Sequence, residues 1–150
     1  MANSFTQLYV HCVWSTKNRE PLIGRGVESR VWSTIAETAH RHGIHVHKVG
    51  GIENHVHVLL ELPRTMGIAE MMKQVKGGSS QAIRKSRVLH GSFAWQDGYG
   101  AFTVSKSAVQ EVVDYIENQR AHHQQMTFEE EFVQFLNRHG IEYDEKYLWG

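Results

Sequence analysis

The order of periodic segments in the chain predicts a ferredoxin-like (RRM-like) α+β sandwich, an antiparallel sheet with helices on one face. Three observations predict it. Short stretches with period-two alternation and longer ones with helical spacing follow one another as strand, helix, strand, strand, helix, strand, helix. Glycine, proline and polar clusters fall between them. The 150 residues are enough for one buried core and short for two, so 1–150 reads as one domain without repeats or a linker.

Residues 5–15, FTQLYVHCVWS, alternate bulky side chains between two faces and read as the first strand. The polar loop TKNREPLIGRG follows. Val31, Ile35 and Ala39 then recur at helical spacing within 27–42, and Gly43 supplies the stop. IHVHKVG and NHVHVLLEL are two short strands about Gly50 and Gly51, most simply a hairpin. A second helix covers roughly 67–86 through Ile68, Met71, Met72 and Val75, with a kink or break expected at Gly77 and Gly78. A glycine- and aromatic-rich loop leads to a strand near 100–105. Ser107 is placed to cap a third helix whose buried side is Val109, Val112, Val113 and Ile116. A last helix near 128–138 stops at Gly140.

Composition narrows the function. Sixteen basic and sixteen acidic side chains cancel, so a polyanion would have to meet a local basic patch. Lys17 and Arg19, then Lys73, Lys76, Arg84, Lys85 and Arg87, are the candidates for phosphate contacts. Trp95, Tyr99 and Phe102 are candidates for base stacking or for core packing. Cys12 is the only cysteine, which excludes an intrachain disulfide and a cysteine-cluster zinc site; in an alternating strand it reads as an inert packed thiol. The first residues lack the order of a secretion signal and no apolar run spans a membrane, which predicts a cytoplasmic protein. Ser79 and Ser80 do not form a hydrolase elbow.

Eleven histidines stand out. In the stretch ENHVHVLLELP, side chains at i and i+2 share a strand face, so His55 and His57 point together while Val56, Val58 and Leu60 point into the core. Two neutral imidazoles side by side can hold one divalent ion. In VVDYIENQRAHH, Tyr115 and Gln119 are four apart and share a helix face, offering a hydroxyl nucleophile and a carbonyl oxygen ligand. On their own these four also read as surface histidines and a packed tyrosine beside a solvated glutamine. HRHGIHVH gathers His40, His42, His45 and His47. It is read as a helix C-terminus followed by the neighbouring strand, with a separate zinc site as the alternative.

ENHVHVLLELP, MKQVKGGSSQAIRK, WQDGYGAFTVS and YIENQ, in that order, resemble the single-tyrosine transposases of small bacterial insertion sequences, members of the HUH endonuclease superfamily. The likeness runs from about residue 5 to 126. It implies Tyr115 as nucleophile, with His55, His57 and Gln119 as ligands of Mg2+ or Mn2+. It further implies cleavage and rejoining of single-stranded DNA through a 5′-phosphotyrosine intermediate, and recognition of hairpins at element ends. A homodimer would share its sites, His55 and His57 of one subunit facing Tyr115 and Gln119 of the other. The competing expectation is a non-catalytic hairpin or single-stranded DNA-binding protein on the same fold. No residue stands out in the sequence as the base for Tyr115.

Overall fold

The structure, a computed structural model, describes residues 3–89 and 91–149. Four strands form one antiparallel sheet in the order β2-β3-β1-β4: β1 Tyr9–Ser15, β2 Val46–Ile52, β3 His55–Glu61 and β4 Gly100–Val104. With α1 Glu28–Arg41 between β1 and β2, and α2 Ile68–Ser86 between β3 and β4, this is the expected split pattern. The first strand begins at Tyr9 rather than near residue 5. The β2–β3 hairpin turns at Glu53 and Asn54, and the two glycines lie inside β2.

Register sorts the side chains. Val10 faces Leu60, Cys12 faces Val58 and Trp14 faces Val56, and these pack with Val31, Ile35 and Ala39 of α1 and Met71, Met72 and Val75 of α2. The predicted stripes of both helices are therefore the core. Cys12 is fully buried there, and burial pushes its thiol up to about 12, which leaves it inert.

The other face is not open. Tyr9, His11 and Val13 pair with Glu61, Leu59 and His57, and three helices cover them: α3 Val109–Glu117, α4 Gln119–His122 and α5 Phe128–Arg138. Ile116 of α3 packs on Tyr9 and Leu59, while Phe128, Phe132 and Leu136 of α5 pack on Val13 and Phe102. His55 and His57 lie in this face with no solvent exposure.

Two glycines serve close packing. At Gly50 a Cβ would stand 2.6 Å from the Ile116 carbonyl oxygen, so the absent side chain lets α3 settle on the edge strand. At Gly78 a Cβ would meet Thr38 Cγ2 at 2.6 Å, and α2 runs unbroken through Gly77 and Gly78 instead of kinking. Gly78 thus marks a helix–helix approach. Ser107 sits in a 3-10 turn, its hydroxyl 3.2 Å from that of Ser105, and Ala108 precedes α3 without a side-chain cap.

Gly50→Ala should destabilise the fold by about 1–3 kcal/mol through overpacking against backbone. Gly77→Ala, exposed in mid-helix with nothing within 4 Å of its added methyl, should instead stabilise it by about 0.5–1 kcal/mol. Urea unfolding of the two variants reads both signs, and equal midpoints would contradict the close approach of α3.

Candidate active site

A break in the helix assembles the site. The sequence predicts one helix carrying Tyr115 and Gln119, but the backbone departs from helical geometry at Asn118 (φ −96°, ψ 24°), so Gln119 opens the separate α4. Arg120 fixes α4 in place, donating to Glu53 at 2.8 Å and Glu28 at 3.1 Å. Gln119 Nε2 still donates to the Tyr115 carbonyl at 3.3 Å, which turns Gln119 Oε1 inward.

The sequence-predicted quartet meets within one chain. His55 Nε2 lies 3.0 Å from Gln119 Oε1, and the His57 and Tyr115 rings are 5.7 Å apart. Four residues not singled out from the sequence complete the site. Glu131 of α5 is 1% exposed, and its Oε1 lies 3.0 Å from His57 Nε2, 3.2 Å from His123 Nε2 and 3.5 Å from His55 Nε2. Its Oε2 accepts a hydrogen bond from the Tyr115 hydroxyl and lies 3.2 Å from His122 Nε2. His11 Nε2 stands 2.8 Å from His57 Nδ1. The signal for Glu131 was present in FEEEFVQF: Phe128, Glu131, Phe132 and Phe135 share one helix face, so a charge falls on an apolar stripe.

Proton accounting shows what the cluster is built to hold. His123 Nδ1 donates to the Met126 carbonyl at 2.6 Å, and His55 Nδ1 to Asn54 Oδ1 at 2.9 Å. In the neutral rings both Nε2 lone pairs therefore face the oxygens of Gln119 and Glu131. Acceptor against acceptor at these distances requires a proton or a cation between them. His55 is held well below its ordinary value by burial and by His57, so it keeps its lone pair. At His123 burial opposes the charged form, but the hydrogen bond and charge of Glu131 outweigh it and raise the pKa. Glu131 is itself lowered against the effect of its burial, chiefly by His57 and by the hydrogen bond from His123. The Tyr115 phenol is raised by burial and by the Glu131 charge, so it keeps its proton in the resting site.

Donor atoms of His55, His57, His123 and Glu131 lie within 4.8 Å of one another. Three imidazoles and one carboxylate, with second nitrogens already anchored, suit a divalent metal ion. His57 would bind through Nε2 and donate Nδ1–H to His11, whose own pKa is pushed down by burial and by His57. Gln119 Oε1 borders the same set.

A family described as transposase, IS200-like, matches residues 4–119. The chain belongs to this family. Members of the family are single-strand DNA endonucleases and transposases, and the family implies a divalent metal. The ISDra2 transposase TnpA of Deinococcus radiodurans is similar, 26% identical over 118 residues that cover 75% of this chain and 84% of the relative. Two solved structures share the fold. A candidate transposase from Deinococcus radiodurans R1 matches with a TM-score of 0.64 and 24% identity, over 79% of this chain and 95% of that one. A REP-associated tyrosine transposase bound to a REP hairpin matches with a TM-score of 0.58 and 13% identity, over 82% and 73%. Glu131, His122 and His123 of this transposase lie beyond the segment that the family match covers.

The basic residues fare unequally. Lys73, Arg84, Lys85 and Arg87 are exposed on or just after α2, and Lys17 is exposed after β1. Lys76 is not available to a phosphate: it is 9% exposed and donates to the carbonyls of Gln96, Asp97 and Gly98 at 2.7, 3.1 and 2.6 Å. That burial lowers its pKa to about 8. Arg19 pairs with Glu129 at 3.0 Å and lies over Trp149. Trp95 and Phe102 are core residues, and Trp95 Nε1 donates to Ser79 Oγ at 3.0 Å. Among the described residues no helix is long and apolar enough to cross a membrane.

The buried imidazoles set a pH dependence. His11 and His55 are depressed below the unfolded value of 6.5, so the stability they contribute is complete above that pH and is lost as pH falls. His123, raised, acts in the opposite sense. His122 is lowered as well, chiefly by burial, so with three groups against one, metal-free protein should lose stability between pH 7 and 5, at up to about 1.4 kcal/mol per fully buried depressed group per pH unit. Urea midpoints in chelator measure it; a midpoint that holds or rises on acidification would show the two rings charged in the native state.

Proposed function

We propose that this transposase is a single-domain, metal-dependent enzyme that cuts and rejoins single-stranded DNA through Tyr115, acting on hairpin-bearing ends in the cytoplasm. One observation carries the reading: the Tyr115 hydroxyl donates to a carboxylate whose other oxygen is ringed by the imidazoles of His55, His57 and His123. A nucleophile, a proton acceptor and a set of metal ligands thus meet in a few ångströms. The hairpin as substrate is supported by the fold shared with a REP-associated tyrosine transposase bound to one.

The chemistry follows from these groups. Tyr115 Oη attacks the scissile phosphorus in line, its proton passing to Glu131 Oε2. The bond to the 3′-oxygen breaks, leaving a 5′-phosphotyrosine and, once protonated, a free 3′-hydroxyl. Attack by another 3′-hydroxyl on that link reverses the step and joins strands without ATP, since the phosphodiester is conserved throughout. His55, His57, His123 and Glu131, with Gln119 alongside, would hold the ion. A divalent cation held there, Mg2+ or Mn2+, would supply charge neutralisation to the phosphate. His11 keeps the His57 ring oriented, and Arg120 holds α4 so that Gln119 faces inward. Lys17, Lys73, Arg84, Lys85 and Arg87 are the side chains we assign to phosphate contacts.

Tyr115→Phe should abolish the protein–DNA adduct that survives denaturation while leaving DNA binding nearly unchanged, and it should lower the melting temperature, because the buried Glu131 carboxylate loses a donor. Glu131→Gln should slow adduct formation by about 10²-fold. A 5′-phosphotyrosine mapped to Tyr9, Tyr99, Tyr143 or Tyr147 would refute the assignment. Adduct formation should also stop in excess chelator and in His55→Ala or His57→Ala, and Mg2+ or Mn2+ should restore the chelated wild type. Undiminished activity in chelator would mean that the cluster is structural.

The resemblance implies sites shared between two subunits, whereas the single chain already contains nucleophile and ligands together. We take the within-chain site as the cleaving one. Mixing Tyr115→Phe chains with His55→Ala/His57→Ala chains should then leave cleavage absent, since each site keeps a defect. Recovery of single cleavage in proven heterodimers would establish the shared arrangement.

A further inference from the structure

A second group of metal-ligating side chains lies on the same sheet face as the catalytic cluster, at the opposite end of β3. His45 and His47 flank Val46 at the start of the edge strand β2, and Glu61 ends β3 beside them. Four residues of strand separate Glu61 from His57, about 13 Å at 3.3 Å per residue, so the two groups cannot share an ion. Pairing between β2 and β3 slips between Val46 and Lys48, and a slip of this kind re-aims the side chain it releases, here His47.

Three observations point to a ligand. The donor atoms of His45, His47 and Glu61 lie within 4.8 Å of one another. His47 Nε2 is buried and has no hydrogen-bond partner. Glu61 Oε2 stands 3.7 Å from it, beyond hydrogen-bond range. Two ligands bound at about 2.0–2.2 Å around a tetrahedral zinc ion stand about 3.4 Å apart, close to the separation seen. Glu61 is already oriented: Gln7 Nε2 donates to its other oxygen, Oε1, at 2.9 Å, the kind of anchoring that metal-binding carboxylates receive. The His45 and His47 rings meet edge to face with centroids 4.5 Å apart, and His45, exposed, is free to turn its nitrogen inward.

We infer that His45, His47 and Glu61 form a second metal site, separate from the catalytic one, that takes a zinc-type transition-metal ion through two imidazoles and a carboxylate, with water completing the shell. Imidazole donors favour such ions over Mg2+. The site clasps the edge strand to the centre of the sheet across its irregular pairing, so occupancy stabilises the fold in proportion to the free metal concentration. It accounts for the second His-x-His of the sequence, which the catalytic reading leaves without a role.

The test is Zn2+ stoichiometry on the full chain, measured by competition with a chromophoric chelator, so it reads binding and is independent of cleavage. The catalytic cluster will also take zinc, and the expected result is therefore a difference. His45→Ala/His47→Ala should bind one equivalent fewer than the wild type, with an unchanged metal-free melting temperature and a smaller zinc-induced rise. His40→Ala/His42→Ala should bind as the wild type does. Glu61→Gln, nearly isosteric, should weaken the second equivalent at least about tenfold, and it carries the same test should the double variant unfold. In zinc-soaked crystals, anomalous scattering should show a peak beside Glu61 as well as one beside Glu131. Equal stoichiometry in wild type and His45→Ala/His47→Ala, or no peak beside Glu61, overturns the inference and leaves the catalytic assignment untouched.

Discussion

The Glu131 carboxylate is withdrawn from water in the interior of the protein, and an anion there survives only where enough donors replace its hydration. Here the replacement comes from His57 and His123 on one oxygen and from Tyr115 on the other. The carboxylate comes from α5, two of these donors from the sheet and α3, and the third from the turn after α4. Removing any one leaves a buried charge underpaired, so the positions of the three late helices are coupled through a single side chain. The same crowding makes the site chemically useful. Imidazoles close enough to satisfy a carboxylate are close enough to hold a cation.

That constraint explains several local features. Gly50 admits the backbone of α3 to the edge strand, which sets the height of Tyr115 above the sheet. The departure from helical geometry at Asn118 lets Gln119 and the His122–His123 pair approach the histidines from a direction that a continuous helix would not allow. Phe128 stacks on the His55 ring at 4.4 Å, closing the apolar side of the cluster. The polar layer therefore lies between two hydrophobic ones, Ile116 with Leu59 and Phe128 with Val13. Low polarity around it strengthens each ionic contact inside.

Charge is arranged economically for a protein whose family acts on DNA. The net formal charge is zero, yet exposed cations gather on α2 and the turn after β1, while Lys76 and Arg19 serve structure. The ammonium of Lys76 fastens the loop 96–98 that the sequence marks as glycine- and aromatic-rich. A basic residue next to others in sequence is thus not equivalent to them in space. For Lys76, burial under the loop 96–98 and beside Tyr99 decides it.

The sequence by itself determined the order of strands and helices along the chain, the core stripes of α1 and α2, the span 128–138 of α5 and the shared face of His55 and His57. All of these rest on periodicity, which is a local property of the chain. The family motifs added Tyr115 and Gln119. What depended on contacts between distant residues was not legible: the covering of the second sheet face, the meeting of Glu131 with histidines 74 and 76 positions earlier, and the roles of His11 and His123. The glycines of α2 read as breakers because sequence shows their propensity and not the methyl of Thr38 lying against Gly78. Tertiary structure decided these points for one physical reason. A buried charge has no periodicity, and its meaning is fixed by the partners that folding brings to it.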